Sequence, residues 1–254
     1  MLAMACAGGL LYWTLQTGRE TETIYDGIYR ANSNQLSIVA TAEGQSSTVI
    51  VPSWDWFHTG QLWEYISAKT PRKQMIEGAL VQPTVKASTE GDMRIDSRMK
   101  PALSQLFAAA QTDGIDLMLS SAYRTRDDQQ NLYDLYLVLK GRAYVDSYIA
   151  QPGSSEHETG LAVDIASSSA ACQKDSDACT LEPAAIAWLH KNAPRFGFLQ
   201  RYPTGKQSIT GVAGEAWHYR YVGIPLAQFL DKENLTFDEF VTQIAPGYTK
   251  PIAN

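Results

Sequence analysis

Short runs of alternating apolar and polar positions dominate the second half of the chain. In GLAVDIA (160–166), Leu161, Val163 and Ile165 fall on one side, with Ala162, Asp164 and Ala166 on the other. Period two with one apolar face predicts a strand. IDLMLSSAY (115–123), GFLQRYP (197–203) and HYRYVG (218–223) read the same way. Between these runs the period becomes helical. SRMKPALSQLFAAAQTDG (97–114) predicts an amphipathic helix stopped by Gly114, and DDQQNLYDLYLVL (127–139) a helix with acids in its first turn. EPAAIAWLHKNA (182–193) is a further helix, and LAQFLDKENLTFDEFVTQIA (226–245) closes the chain with helix. Nearer the amino terminus, GIYRA, LSIVATA and STVIVPS form a β element over 21–56, with a hairpin turn at EGQSS. Residues 60–68 predict a short helix, and 69–91 a connecting arm. Helices segregated from a small, mostly antiparallel sheet define an α+β fold, here with an added N-terminal β element.

Chemistry concentrates in two of these runs. SSEHETGLAVD (154–164) contains His157 and Asp164, and EAWH (215–218) contains Glu215 and His218. Gly160 and the preceding PGSS argue against helix around His157, so it sits on a loop leading into the strand that carries Asp164. His218 begins another alternating run, which puts the third group on a strand as well. Two imidazoles and one carboxylate suit Zn2+, and three protein ligands leave a coordination position open, as in catalytic sites. Each residue alone would more often be an ordinary polar side chain; their combination with Glu215 three positions before His218 favours chemistry. The other histidines read as bland. His190 lies late in a helix, where a cation favours the C-terminal dipole, and His58 has no partner at recognisable spacing.

Composition sets the surroundings. Hydrophobic content of 44% supports a proper core, and a net charge of −6 with no basic patch excludes nucleic acid as partner. Residues 1–20 begin with an apolar run without charge before Arg19, read as an export or membrane-anchor segment of an extracytoplasmic protein. The expected division is then 21–75 for a β-rich region and connector, and 76–254 for the catalytic domain. Cys172 and Cys179 frame a polar loop after the Asp164 strand. A disulfide there would add roughly 2.5 kcal/mol in the chain-entropy model; two free thiols are the alternative.

These residues carry a resemblance. Ser155, His157, Gly160 and Asp164, followed by Glu215, Trp217 and His218, resemble the VanY-type D-alanyl-D-alanine carboxypeptidases, members of a zinc peptidase superfamily. SSAYRTRDDQQNLY (120–133) and the stretch 188–211 resemble further boxes of that family, so the likeness covers roughly residues 90–230. It implies zinc on His157, Asp164 and His218, with Glu215 as catalytic base. It also implies Arg124 in catalysis, holding a terminal carboxylate or polarised carbonyl, and Tyr123, Gln129 and Ser155 around the substrate. Trp217, beside a ligand, joins them or the core. Ala216 stands where many relatives have proline, which removes no chemical group. The implied reaction releases D-alanine from peptidoglycan stem peptides. An L,D-carboxypeptidase, a D-Ala-D-Ala dipeptidase or a non-catalytic zinc-containing wall- or protein-binding module are the alternatives.

Overall fold

The computed structural model describes residues 60–72, 79–88, 91–168 and 181–244, together with the backbone of the strands between residues 6 and 52. The chain divides into two compact units, Met1–Trp54 and Asp55–Asn254. In the first, β1 (Cys6–Ala7) pairs antiparallel with β2 (Leu10–Leu11). β3 (Glu22–Tyr25), β4 (Ile28–Asn32), β5 (Gln35–Ala42) and β6 (Gln45–Pro52) form a four-stranded antiparallel sheet in that order. The expected β element is therefore present with one strand more. Register runs from Gln35 opposite Pro52 to Ala42 opposite Gln45, so β6 begins inside the EGQSS stretch expected as the turn.

The second unit holds the rest. Its arm contributes β7 (Leu80–Val81), paired with β8 (Ile95–Asp96), and Ala87 bridges in parallel to Leu119. Then follow α1 (Lys100–Thr112), β9 (Leu117–Ser121), α2 (Arg126–Lys140), α3 (Arg142–Tyr148), β10 (Ala162–Ser167) and α4 (Pro183–Asn192). The unit is completed by β11 (Phe198–Tyr202), α5 (Gln207–Thr210), β12 (Glu215–Tyr221), α6 (Ile224–Lys232) and α7 (Phe237–Ile244). The sheet has the order β11-β12-β10-β9 with every neighbour antiparallel. This is the α+β fold that the patterning predicts.

Alternation decides which face does what. Val163 and Ile165 of β10 pack with Leu117, Leu119, Phe198 and Tyr219 against Leu103, Leu106 and Phe107 of α1, all buried. Burying each large apolar side chain stabilises the fold by about 1.5–3 kcal/mol, which anchors α1 on this face. On the opposite face Asp164 pairs across to His218 on one side and to Ser121 on the other. Core packing thus aims one row of polar residues away from α1. The register slips between Asp164 and Ile165, a bulge of the kind that re-aims side chains beside functional sites.

Two expectations change. Residues 60–68 form turns rather than a helix, because the segment is set by distant anchors. Trp63 Nε1 donates to Val222 O at 2.8 Å, and Tyr65 Oη to Asp238 Oδ1 at 2.7 Å. A helix this short gains little by itself. The same anchors pack 60–72 onto the rest of the second unit. The closing helix is two helices, broken where Asn234 takes φ 52°. Thr236 and Glu239 then form a capping box, Thr236 N donating to Glu239 Oε2 and Glu239 N to Thr236 Oγ1. Cys172, Cys179 and His58 lie outside the described residues. Among the described residues, no helix is long and apolar enough to cross a membrane.

Candidate metal centre and active site

The site is built where β10, β12 and a one-turn 3-10 helix (Glu156–Thr159) meet. That turn ends at Gly160 in the left-handed region at φ 72°, where the chain reverses into β10. A Cβ on Gly160 would meet Leu80 Cδ2 at 2.8 Å, so glycine is needed both for conformation and for room. The turn delivers His157 beside Asp164, while the register of β10 and β12 places His218 directly opposite Asp164.

His157 Nε2 lies 3.3 Å from Asp164 Oδ2, and His218 Nδ1 lies 3.3 Å from Asp164 Oδ1. The two imidazole rings stand at 90° with centroids 5.0 Å apart, so their nitrogens converge without stacking. A tetrahedral zinc ion with bonds of about 2.0–2.1 Å sets its donor atoms about 3.3–3.4 Å apart; each histidine stands at that distance from one oxygen of Asp164, and one donor atom from each of the three residues lies within 4.8 Å of the others. Asp164 Oδ1 is buried and receives no hydrogen bond among the described residues. A buried carboxylate oxygen without a hydrogen bond, 3.3 Å from a ring nitrogen, calls for a cation, either a protonated His218 or a metal ion shared by the three side chains. The outward nitrogens are also held: His157 Nδ1 meets Ala122 O at 2.6 Å, and His218 Nε2 meets Glu156 Oε2 at 3.4 Å. The donor set therefore fits zinc.

Charge follows the same geometry. Burial and the nearby Arg124 lower the His157 imidazole against the pull of Asp164, which favours the neutral ring a metal needs. Burial would also lower His218, but contacts with Asp164 and Glu156 win and push it up to about 9. Burial would raise Asp164; the facing histidines instead hold it well below the usual carboxylate range. Glu215 opens β12 with Oε2 3.8 Å from His218 Nδ1. Burial, aided by the charge of Asp164, pushes its carboxyl up to about 7 although His218 and Arg124 oppose this. A carboxyl poised there can exchange protons near neutrality.

Arg124 is held flat: Nη1 donates to Gln129 Oε1 and Nη2 to Ser121 Oγ, each at 2.9 Å. Gln129 is itself buried and donates to Ala150 O at 2.6 Å. It braces Arg124 at the cleft wall. Arg124, Tyr123, Ser155, Glu215, Trp217 and the three donor residues all line one cleft of about 970 Å³. Trp217 is 37% exposed on its wall, which settles the earlier alternative against the core. His190 is exposed in the last turn of α4, away from this cleft. Two residues escaped the sequence reading, Ser121 and Glu156. Ser121 belongs to the 120–133 stretch, and its place beside Arg124 follows from the β9–β10 register. Glu156 adjoins His157 in sequence, but its partners come from distant strands.

A small antiparallel sheet presenting His, Asp and His beside a buried glutamate defines a metallopeptidase type of site. The family model for VanY, D-alanyl-D-alanine carboxypeptidase, matches residues 92–224, and the chain belongs to this family. A D-alanyl-D-alanine carboxypeptidase of Enterococcus faecalis is 40% identical over 157 residues, which is 58% of this chain and 56% of that protein. The chain thus spans little more than half of that relative. Among solved structures, a mutant of the vancomycin-resistance D,D-pentapeptidase VanY from a VanB-type cassette, in complex with Zn(II), is 35% identical with a TM-score of 0.59. The match covers 69% of this chain and 96% of that one. The LdcB LD-carboxypeptidase is 29% identical with a TM-score of 0.63, covering 82% and 94%.

Proposed function

We propose that this protein is a zinc-dependent D,D-carboxypeptidase that removes the C-terminal D-alanine from peptidoglycan stem peptides. The observation that carries the reading is the placing of Glu215 and Arg124 in one cleft with the converging donors of His157, Asp164 and His218. A module that only bound wall polymer would need the donors but neither of the other two groups. His157, Asp164 and His218 would hold the ion, which when bound supplies Lewis acidity to water and to the scissile carbonyl.

The chain's own groups do the rest. Glu215 takes a proton from the attacking water and returns it to the leaving amine of D-alanine. General acid–base help of this kind is worth about 10²–10⁴-fold. Arg124, fixed by Ser121 and Gln129, turns its remaining N–H donors toward the oxyanion or the terminal carboxylate, whose planar shape suits a guanidinium fork. Ser155 and Tyr123 border the same space, and Trp217 walls its open side. Gln129 acts through Arg124. Stem peptides in the assembled wall are a substrate consistent with action on the extracytoplasmic side of the membrane.

Mass spectrometry of pentapeptide and tetrapeptide stems, incubated with zinc-loaded and chelated protein, tests this. Loss of a single D-alanine from the pentapeptide, abolished by chelation, is the expected result. Cleavage confined to the tetrapeptide would make it an L,D enzyme instead. Release from neither stem by zinc-loaded protein would overturn the reading.

A further inference from the structure

Glu156 has no place in the reaction just described, yet it is the most heavily engaged carboxylate beside it. It precedes the metal-facing His157 on the same turn, and although it borders the cleft its carboxylate is engaged by two buried arginines. Oε1 accepts from Arg201 Nε at 2.8 Å and from Arg220 Nη1 at 3.1 Å, while Oε2 faces His218 Nε2 at 3.4 Å. All four residues are buried. The two guanidiniums are clamped in turn. Arg201 also bonds both oxygens of Asp238 on α7, and Arg220 Nη2 donates to Leu62 O at 3.1 Å and Glu64 O at 2.9 Å.

We infer that Glu156 is a positioning residue for His218: it fixes the ring so that Nε2 carries the proton and Nδ1 presents its lone pair to the metal. The inference rests on the zinc reading above. An imidazole nitrogen facing a carboxylate donates to it, and this leaves the other nitrogen as the acceptor. That other nitrogen, Nδ1, is the one 3.3 Å from Asp164. The neighbouring ligand is set by the opposite arrangement, with Nδ1 on the Ala122 carbonyl and Nε2 toward Asp164. One turn of chain therefore supplies a ligand through His157 and orients the other histidine through Glu156. Because Arg201 and Arg220 hold Glu156 from the far side, rotation of the carboxylate away from His218 would break two charged hydrogen bonds. The anchors of that clamp, Leu62, Glu64 and Asp238, lie outside the family-matched residues 92–224. The metal centre consequently draws on both flanking segments.

Long-range proton–nitrogen NMR of the zinc-loaded wild-type protein gives the first test, tractable because the chain has four histidines. His218 is expected to show a protonated Nε2 and a metal-shifted Nδ1. A metal-shifted Nε2 would overturn the proposal. Glu156→Gln and Glu156→Ala provide the second, through competition with a chromophoric chelator and the visible spectrum of the cobalt-substituted protein. Zinc affinity should fall about 10–100-fold in Glu156→Ala, with a changed cobalt spectrum, and Glu156→Gln should recover part of both. Unchanged affinity and spectrum in folded variants would also overturn it. Should the alanine variant not fold, the wild-type spectrum and the glutamine variant still decide. None of these readouts needs turnover, so a correctly ligated but inactive protein would defeat the carboxypeptidase reading and leave this one standing.

Discussion

Replacing Asp238 by asparagine should destabilise the catalytic unit far more than a change of one atom suggests. Arg201 and Arg220 are 1% and 0% exposed, and the carboxylates that balance them are Glu156 at 1% and Asp238 at 4%. Two cations and two anions make a neutral set with almost no water. Asparagine keeps the shape of Asp238, and its carbonyl oxygen can still accept from Tyr65 Oη, now at 2.7 Å. The charge is lost and an amide NH2 donor replaces the oxygen that accepts from Arg201 Nη1, which leaves Glu156 as the one side-chain carboxylate bonded to the two guanidiniums. Removing one partner of a buried ion pair costs about 3–5 kcal/mol. In a unit of this size 1 kcal/mol moves Tm by about 2–4 °C, so the expected drop is roughly 6–20 °C. Scanning calorimetry and urea unfolding of Asp238→Asn read it directly. The exposed pair of Arg142 and Asp146, 3.0 Å apart on α3, is the control. Asp146→Asn should change stability by less than about 0.5 kcal/mol. A loss for Asp238→Asn no larger than that control would refute the premise that the cluster is dehydrated.

Glu215→Gln should lower kcat by about 10²–10⁴-fold with zinc still bound, checked by steady-state kinetics alongside metal analysis. Arg124→Lys cannot span Ser121, Gln129 and a substrate carboxylate at once. Loss of a charged hydrogen bond worth about 1.5–3 kcal/mol should cut kcat/KM for pentapeptide roughly 10- to 150-fold. Gly160→Ala combines a φ of 72° with a clash at Leu80, and should cost about 1–3 kcal/mol by urea unfolding. Zinc-free protein should lose stability as pH rises. Glu215, raised to about 7, and His218, raised to about 9, both contribute stability that is present in acid and lost as pH climbs through those values. Zinc replaces the proton on His218, so the gain in Tm on adding zinc should grow between about pH 6 and 9. A gain independent of pH would contradict this.

Local pattern by itself determined most of the elements and the chemistry. The alternation around Asp164, the helical period ending at Gly114 and the acids opening α2 are all short-range signals, and each produced the expected element. The donor residues and Glu215 were legible because reactive side chains at fixed spacing on strands leave a trace in sequence. The capping box at Thr236 and Glu239, which marks the break between α6 and α7, is an equally local signal. Tertiary structure alone decided the rest. The turns of 60–68 owe their shape to Val222 and Asp238, more than a hundred and fifty positions away. Gln129 and Ser121 brace Arg124 because a buried carbonyl and the β9–β10 register put them there. Glu156 is adjacent to His157 in sequence and serves the other histidine in space. The physical reason is the same each time. Periodicity and spacing report which face a residue occupies, whereas a buried charge is stable only with partners that the folded chain brings from elsewhere.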